Sequence, residues 1–478
     1  MEEAGILEPY ELRYSDLMWL CSEDVSSPSS SPSSSAAAEE IERVDSITRA
    51  IMDALGPAGP GLLTITGVPN ASVLRHNLLP LASKLALLNN EDRKRILKEH
   101  GLGSDVPLKN LDRTVSSFAM QLNYVQAMES IQCEPSQKGD GVQRSKHYQS
   151  NVDRSGECQE NEFSNLGSTF KELGFRMMEL GLCIAKVCDR AFGSRELEQS
   201  VLESCSAKGR LIHYHSTVDN LIIKQNARKY GSVKWQANHK VRVPCVSRNL
   251  EGSIRDVQRS AEGHNLDMSG KDDNPWGNHS NLWQQWHYDY GIFTVLTAPL
   301  FTFPHHQPMA KAKDFFSASY EQDCLSPTGS TYLQIFYPNK NNVLTVRAPP
   351  ESFIVQVGES ADVLSKGKLR STLHSVCRPE NLENLSRETF VVFLHPAWSK
   401  TLYISDYPME HCTLCDKCSQ LCDEEVPSAK QERHTLTQDI YKMVPPLSSR
   451  LKDGMTFAKF SRETTKQYYG GNGLQSNR

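Results

Sequence analysis

The stretch Trp283-Gln-Gln-Trp-His-Tyr-Asp-Tyr-Gly291 carries the only His-x-Asp among the fifteen histidines of this chain, at His287 and Asp289. On an extended strand, side chains two apart share a face. An imidazole and a carboxylate at that spacing can therefore grip one metal ion from one side. A second segment, Leu369-Arg-Ser-Thr-Leu-His-Ser-Val376, offers His374. Two imidazoles and one carboxylate, with coordination positions left open, form the facial ligand set of non-haem Fe(II). Farther on, Arg387 and Thr389 stand two apart in Ser386-Arg-Glu-Thr-Phe-Val-Val-Phe-Leu. A guanidinium forks onto a carboxylate through two charge-assisted bonds, and a hydroxyl on the same face adds a third.

These residues need strands to hold them, and the second half of the chain supplies the pattern. Short apolar or β-branched runs occur at Arg210–Tyr214, Ile292–Leu296, Tyr332–Tyr337, Val343–Val346, Phe353–Val357, Leu369–Val376 and Thr389–Leu394. Gly, Asn, Pro and Lys punctuate them, as in Pro338-Asn-Lys-Asn-Asn and Ser365-Lys-Gly-Lys. Many short strands in succession predict an antiparallel sandwich or jelly roll. On the predicted strand 369–376, His374 shares a face with Thr372 and Val376.

The first half reads differently. A helix is predicted from about residue 41, then a strand within Gly61-Leu-Leu-Thr-Ile-Thr-Gly67. Leu74, Leu78, Leu81, Leu85 and Leu88 recur at helical spacing and predict one helix over 71–98. Phe170, Leu173, Met177, Leu180, Ile184 and Val187 form the apolar stripe of a helix over 168–193. That stripe by itself is a core face and carries no functional message. Residues 24–40 are Ser-rich and low in complexity, and 130–165 read as a polar loop. No internal repeat is visible.

The order His287-x-Asp289, His374, Arg387-x-Thr389 resembles that of the plant-type 2-oxoglutarate/Fe(II)-dependent dioxygenases, the group of isopenicillin N synthase-like folds. Ile354–Val376 looks like that family's strand–helix–turn–strand unit. Arg210-Leu-Ile-His-Tyr214 resembles its Asn/His-Tyr-Pro segment, whose tyrosine reaches the co-substrate, and Gly61–Pro69 its N-terminal strand ending in Gly-Val-Pro. Two departures stand out: His215 follows Tyr214 where the family has Pro, and Thr389 replaces Ser while keeping the hydroxyl. The resemblance implies an α+β fold, a double-stranded β-helix (jelly-roll) core behind a helix-rich N-terminal half. It implies Fe(II) on His287, Asp289 and His374. It further implies 2-oxoglutarate on Arg387, Thr389 and Tyr214, with dioxygen as second co-substrate and no catalytic side chain beyond the metal centre. His213, His215 and His395 are expected to be structural or supporting groups.

Domain organisation follows from these elements. We expect a flexible 1–40, a helix-rich 41–205, an oxygenase core over 206–400 with insertions near 217–280 and 304–328, and a C-terminal extension over 401–478 holding a helix near 435–443 and a polar tail. In that extension, Cys412-x2-Cys415-x2-Cys418-x3-Cys422 has the spacing of an iron–sulfur run, but Asp423 stands where that run has Pro. Free thiols, zinc and iron–sulfur remain open for it. Replacing all four by serine is expected to leave 2-oxoglutarate turnover within a few-fold, as a succinate assay would read.

The bulk numbers set outer limits. The chain has 478 residues, enough for one large or two smaller units, and a net charge of −5. That charge offers no field for nucleic acid. The first residues, Met1-Glu-Glu-Ala-Gly5, lack the basic and apolar regions expected of a signal peptide, no run approaches the ~18 apolar residues of a membrane span, and thirteen cysteines fit a reducing compartment. The expected setting is cytoplasmic or nuclear, and the expected partner a small-molecule substrate. Oligomeric state is not legible in the sequence. A reading from another class is a non-catalytic regulatory protein, with a degenerate oxygenase core and a zinc-binding C-terminal module; metal analysis separates the two.

Overall fold

A computed structural model describes residues 5–22, 35–106, 110–123, 162–237, 282–303, 329–379, 384–408 and 442–469, with a few single positions between them. In chain order the strands are β1 (Gly5–Leu7), β2 (Glu11–Arg13), β3 (Leu62–Thr66), β4 (Gly103–Ser104), β5 (Val115–Asn123), β6 (Ser206–Tyr214) and β7 (Leu282–His287). They continue with β8 (Phe293–Thr297), β9 (Leu300–Thr302), β10 (Ser330–Tyr337), β11 (Asn342–Arg347), β12 (Phe353–Val357), β13 (His374–Cys377) and β14 (Ser386–Leu394). A last pair, β15 (Thr401–Leu402) and β16 (Met455–Thr456), ties the C-terminal segment to the core.

The strands form two main sheets. One runs β1-β11-β10-β13-β7; the other is nine-stranded and runs β2-β3-β12-β8-β14-β6-β5-β4, with β9 beside β14. The pairs of N-terminal strands, β1 with β11 and β2 with β3, are parallel; the ladders that carry the predicted site are antiparallel.

Strand alternation divides the core. On β14, Phe390, Val392 and Leu394 point to the helix-covered face, whereas Val391 points into the space between the sheets. Arg387 and Thr389 lie in register with Val391 and so face that same space. On β6, Leu211 packs towards the helices, and Ile212 and Tyr214 towards the opposite sheet. Apolar residues of both sheets meet there, among them Trp283, Leu296, Ile335, Val346, Ile354 and Val376.

The helical layer rests on the nine-stranded sheet. The predicted helix is Leu166–Phe192, and its stripe residues Phe170, Leu173, Met177, Leu180 and Ile184 are fully buried. Each such side chain contributes about 1.5–3 kcal/mol relative to exposure. The predicted helix over 71–98 is instead three helices, Ala71–Leu78, Pro80–Leu87 and Asn90–Glu99. Pro80 has no N–H to continue the first, and the Asn89 side chain accepts from Glu91 and Asp92 N–H to start the third. The leucine period runs across both breaks, which is why it reads as one element.

Other expectations are revised. Residues 5–21, expected within a flexible 1–40, form β1, β2 and the helix Tyr14–Cys21 and bury Leu12, Leu17 and Leu20 in the core, and the helix expected from about 41 begins at Ser35. Residues 217–237, read as the start of an insertion, form the helix Thr217–Ala237. The strand predicted over 369–376 exists only as His374–Cys377, because Thr372 turns to donate to the Gly61 carbonyl at 2.7 Å. The tail contains the helix Phe457–Tyr469, whose Phe457 and Phe460 are fully buried. The rest of the 217–280 segment, the 304–328 segment, the four clustered cysteines and most of 435–443 lie outside the described residues.

Candidate active site

Three predicted ligands come together between the sheets. His287 closes β7, His374 opens β13, and the two are direct cross-strand partners. Their ring centroids lie 4.2 Å apart. Asp289 is not on the strand, contrary to the simple His-x-Asp argument: β7 ends at His287 and the chain turns through Tyr288–Gly291. The turn is pinned, with Glu359 N–H donating to the Asp289 carbonyl at 2.8 Å and Ser360 N–H to the Gly291 carbonyl at 2.9 Å. Gly358 is required for this approach, since a Cβ there would stand 2.3 Å from the Gly291 oxygen.

The ligand atoms converge. Asp289 Oδ1 is 3.9 Å from His287 Nε2, and Asp289 Oδ2 is 3.8 Å from His374 Nε2. All three donor atoms lie within 4.8 Å of one another. Both rings are oriented by backbone: His287 Nδ1–H donates to the Gln285 carbonyl at 2.7 Å and His374 Nδ1–H to the Thr372 carbonyl at 3.0 Å. That leaves each Nε2 lone pair facing the centre, as a metal-binding imidazole needs. Burial, reinforced by His374, holds His287 below the usual histidine range and so neutral. Thr294 fixes the carboxylate by donating to Asp289 Oδ2 at 2.6 Å. The donor set and the tautomers fit an Fe(II) ion.

A second group of residues lies deeper between the sheets. Arg387 and Tyr214 are cross-strand partners, and the guanidinium lies 5.0 Å from the tyrosine ring centroid. Arg387 is 1% exposed and donates through Nε to the Thr331 carbonyl at 3.0 Å, yet its Nη1 has no hydrogen-bond partner among the described residues. A buried cationic donor left open costs free energy unless an anion fills it, so the site fits a carboxylate. Thr389 is buried on the same face and donates to the Thr297 carbonyl at 3.2 Å.

One residue that the motif analysis missed joins the two groups. Gln284 accepts from the Tyr214 hydroxyl at 2.8 Å and donates its amide to His287 Nε2 at 2.9 Å. The amide hydrogen occupies the direction a metal would take, so metal binding must displace it. The only sequence signal is its position three residues before His287. Thr294 had a clearer one, a hydroxyl in the otherwise apolar run Phe293–Leu296 beside the triad.

His213, His215 and Asp219 form another buried group with metal-like spacing, and its bonding explains it without a metal. Asp219 accepts from Ser216 N–H and Oγ, both at 2.7 Å, while Asp219 N–H bonds Ser216 Oγ, a capping box that starts the helix at Thr217. His213 lies between Asp219, at 3.3 Å, and Glu388, at 2.9 Å. Arg113 donates to Ser116 Oγ, which is hydrogen-bonded in turn with His215 Nε2 at 2.8 Å. His395 packs against Trp398 and Phe457 and is held near 4 by burial. Burial opposes the charge on His213, but Asp219 and Glu388 outweigh it and push the imidazole up to about 9. A raised folded-state value means stability that is complete below the unfolded histidine range, ~6.5, and lost as pH rises through about 9. His213→Leu is expected to cost about 3–5 kcal/mol, because two buried carboxylates lose their counter-charge, and to flatten the decline in stability between those pH values. Denaturant melts from pH 6 to 10 check both.

Comparison with known proteins supplies the class. Residues 304–396 match the family model of the 2OG-Fe(II) oxygenase superfamily, a stretch that includes His374, Arg387 and Thr389. The matched domain indicates a 2-oxoglutarate- and Fe(II)-dependent dioxygenase, an oxidoreductase whose co-substrates are 2-oxoglutarate and dioxygen; the match begins after His287 and Asp289. No curated protein matches the sequence. Among solved structures, a full-length Neurospora crassa protein in complex with alpha-KG and 5-formyluracil is 14% identical, covering 86% of this chain and 94% of its own, with a TM-score of 0.43. JOX2 in complex with 2OG, Fe and JA is 12% identical, covering 96% and 86%, at 0.44. The rice dioxygenase for auxin oxidation is 14% identical, covering 77% and 82%, at 0.39. At these values none of them lends this chain a substrate or a residue role. No helix among the described residues is long and apolar enough to cross a membrane.

Proposed function

We propose that His287, Asp289 and His374 hold the Fe(II), that Arg387 and Thr389 hold the far carboxylate of 2-oxoglutarate, and that Tyr214 lines its binding space. The observation that carries this is the pairing of two features between the same sheets. Three metal donors converge with the correct tautomers, and an unfilled buried guanidinium nitrogen lies deeper on the facing strand. When bound, the iron supplies dioxygen activation coupled to decarboxylation: 2-oxoglutarate, O2 and a substrate C–H become succinate, CO2 and an oxidised substrate.

The chain's own residues do the positioning. Arg387 is locked by Thr331 and by the tyrosine face, so its open Nη1 is aimed before any ligand arrives. Thr389 can turn its hydroxyl from the Thr297 carbonyl to the same carboxylate. Gln284 would have to release His287 Nε2 for a metal to bind there, and its bond from the Tyr214 hydroxyl offers an anchor for that move. Buried apolar walls, Ile212, Leu296, Ile354 and Val391 among them, exclude water from the co-acid.

The two-sheet core reads as a double-stranded β-helix, because consecutive strands from β7 to β14 are shared between the sheets around one inner space. We place the oxygenase core at 206–400, backed by the helix-rich 41–205; residues 5–21 add β1 and β2 to its two sheets, and 401–478 follows as a C-terminal extension. A small organic molecule fits this class as substrate. The test is succinate release from 2-oxoglutarate by the Fe(II)-loaded protein, with and without fractions of a metabolite extract. A fraction that raises release above the uncoupled rate and is itself oxidised supports the reading; release that never depends on Fe(II) refutes it.

A further inference from the structure

The C-terminal segment closes a loop of contacts around the metal ligands. Tyr288, between His287 and Asp289, donates its backbone N–H to the Tyr468 hydroxyl at 3.1 Å. The Tyr468 ring meets the His287 ring edge-on, with centroids 6.5 Å apart. The Arg450 guanidinium lies 5.3 Å from the Tyr468 centroid. Arg450 also forks onto Glu359, Nη1 to Oε2 at 2.7 Å and Nη2 to Oε1 at 2.5 Å, with the arginine side chain 0% and the glutamate 3% exposed. Glu359 N–H in turn holds the Asp289 carbonyl at 2.8 Å. The turn that carries the two ligands is thus held before Asp289 by Tyr468 and after it by Glu359, residues linked through Arg450.

We infer that this strap, from Arg450 to Tyr468, is part of the metal centre, and that Tyr468 and Arg450 are positioning residues for His287 and Asp289. The inference rests on the ligand assignment above. Three observations make the strap more than a docked tail. Its bond reaches the backbone between the ligands themselves. Arg450 also donates to Thr464 within the segment at 3.1 Å, so the two helices Leu447–Arg450 and Phe457–Tyr469 act as one piece. Finally, the approach to the strap is seated: Ile440 and Val444 pack with Trp286, Phe336 and Leu373 on the outer side of the metal-bearing sheet. Partners that orient a metal ligand change metal affinity by about 10–100-fold when removed.

The experiment is titration of the metal-free full-length protein with Co(II), followed by its visible absorption, for wild type, Tyr468→Phe, Arg450→Lys and Tyr403→Phe. Tyr468→Phe removes one oxygen and keeps the ring. Arg450→Lys keeps the charge and loses the fork. Tyr403 is 57% exposed and serves as control. We expect Co(II) affinity to fall about tenfold or more in Tyr468→Phe, with an altered cobalt spectrum, an unchanged metal-free melting temperature and the same direction of change in Arg450→Lys. Tyr403→Phe should match wild type. Wild-type affinity and spectrum in Tyr468→Phe would overturn the inference, as would a loss matched by lower stability of the metal-free protein. His374→Ala run alongside separates the two readings: if it binds Co(II) as wild type does, the ligand assignment has failed, and not merely the strap.

Discussion

Alanine at His287, Asp289 or His374 is expected to abolish iron retention and 2-oxoglutarate turnover while the fold persists. Three protein ligands leave no redundancy in a facial site. Losing any one should exceed the ~100-fold upper effect of a supporting residue. The fold persists because none of the three anchors a core cluster: the two rings bond to neighbouring backbone carbonyls, and Asp289 to Thr294. Asp289→Ala has one further consequence. It removes the negative charge between the two imidazoles, so the metal must compete with the Gln284 amide for the His287 Nε2 lone pair without help from a carboxylate. Iron content after desalting, succinate release and a thermal melt on each variant check this. One variant that keeps wild-type turnover would break the assignment.

Arg387→Leu is expected to weaken 2-oxoglutarate binding by about 10- to 150-fold, from the ~1.5–3 kcal/mol of one hydrogen bond to a charged group. Metal affinity should change little, because Arg387 lies deeper in the core than the triad and contacts Thr331 and Tyr214 instead. Leucine fills most of the apolar part of the space, which limits the structural loss, although the Thr331 carbonyl forfeits a donor. Arg387→Lys should fall between, since an ammonium keeps the charge without the fork. Titration of the Fe(II) protein with 2-oxoglutarate under anaerobic conditions reads the effect. Unchanged affinity in Arg387→Leu would remove the co-acid from this pocket.

What the sequence revealed and what it hid have physical reasons. The helix Leu166–Phe192 and strands such as Phe353–Val357 were legible because one face or both faces meet a core, which imprints a period on residue type. The three-helix division of 71–99 was hidden because the leucine stripe packs against one continuous surface and ignores the breaks at Pro80 and Asn89. The convergence of His287, Asp289 and His374 was legible through the His-x-Asp spacing and the second strand, though the reason given for the carboxylate was incomplete. The Asp289 carboxylate approaches the two imidazoles through a turn that Gly358 and Glu359 pin, and such tertiary contacts leave no local pattern. The same applies to Gln284 and to Tyr468, whose roles depend on residues far away in the chain. The tail read as polar because its surface is polar; its buried side, Phe457, Phe460 and Arg450, is too short a signal to stand out.

The central claim is that this site oxidises through iron and 2-oxoglutarate. The most direct measurement is succinate formed per 2-oxoglutarate consumed by metal-stripped protein reloaded with either Fe(II) or Zn(II), in air. Zinc takes the same nitrogen and oxygen ligands but has no redox chemistry. The predicted result is succinate equal to the 2-oxoglutarate lost with Fe(II), and none with Zn(II). Succinate at the same rate with zinc, or none with iron across a full range of candidate substrates, would contradict it.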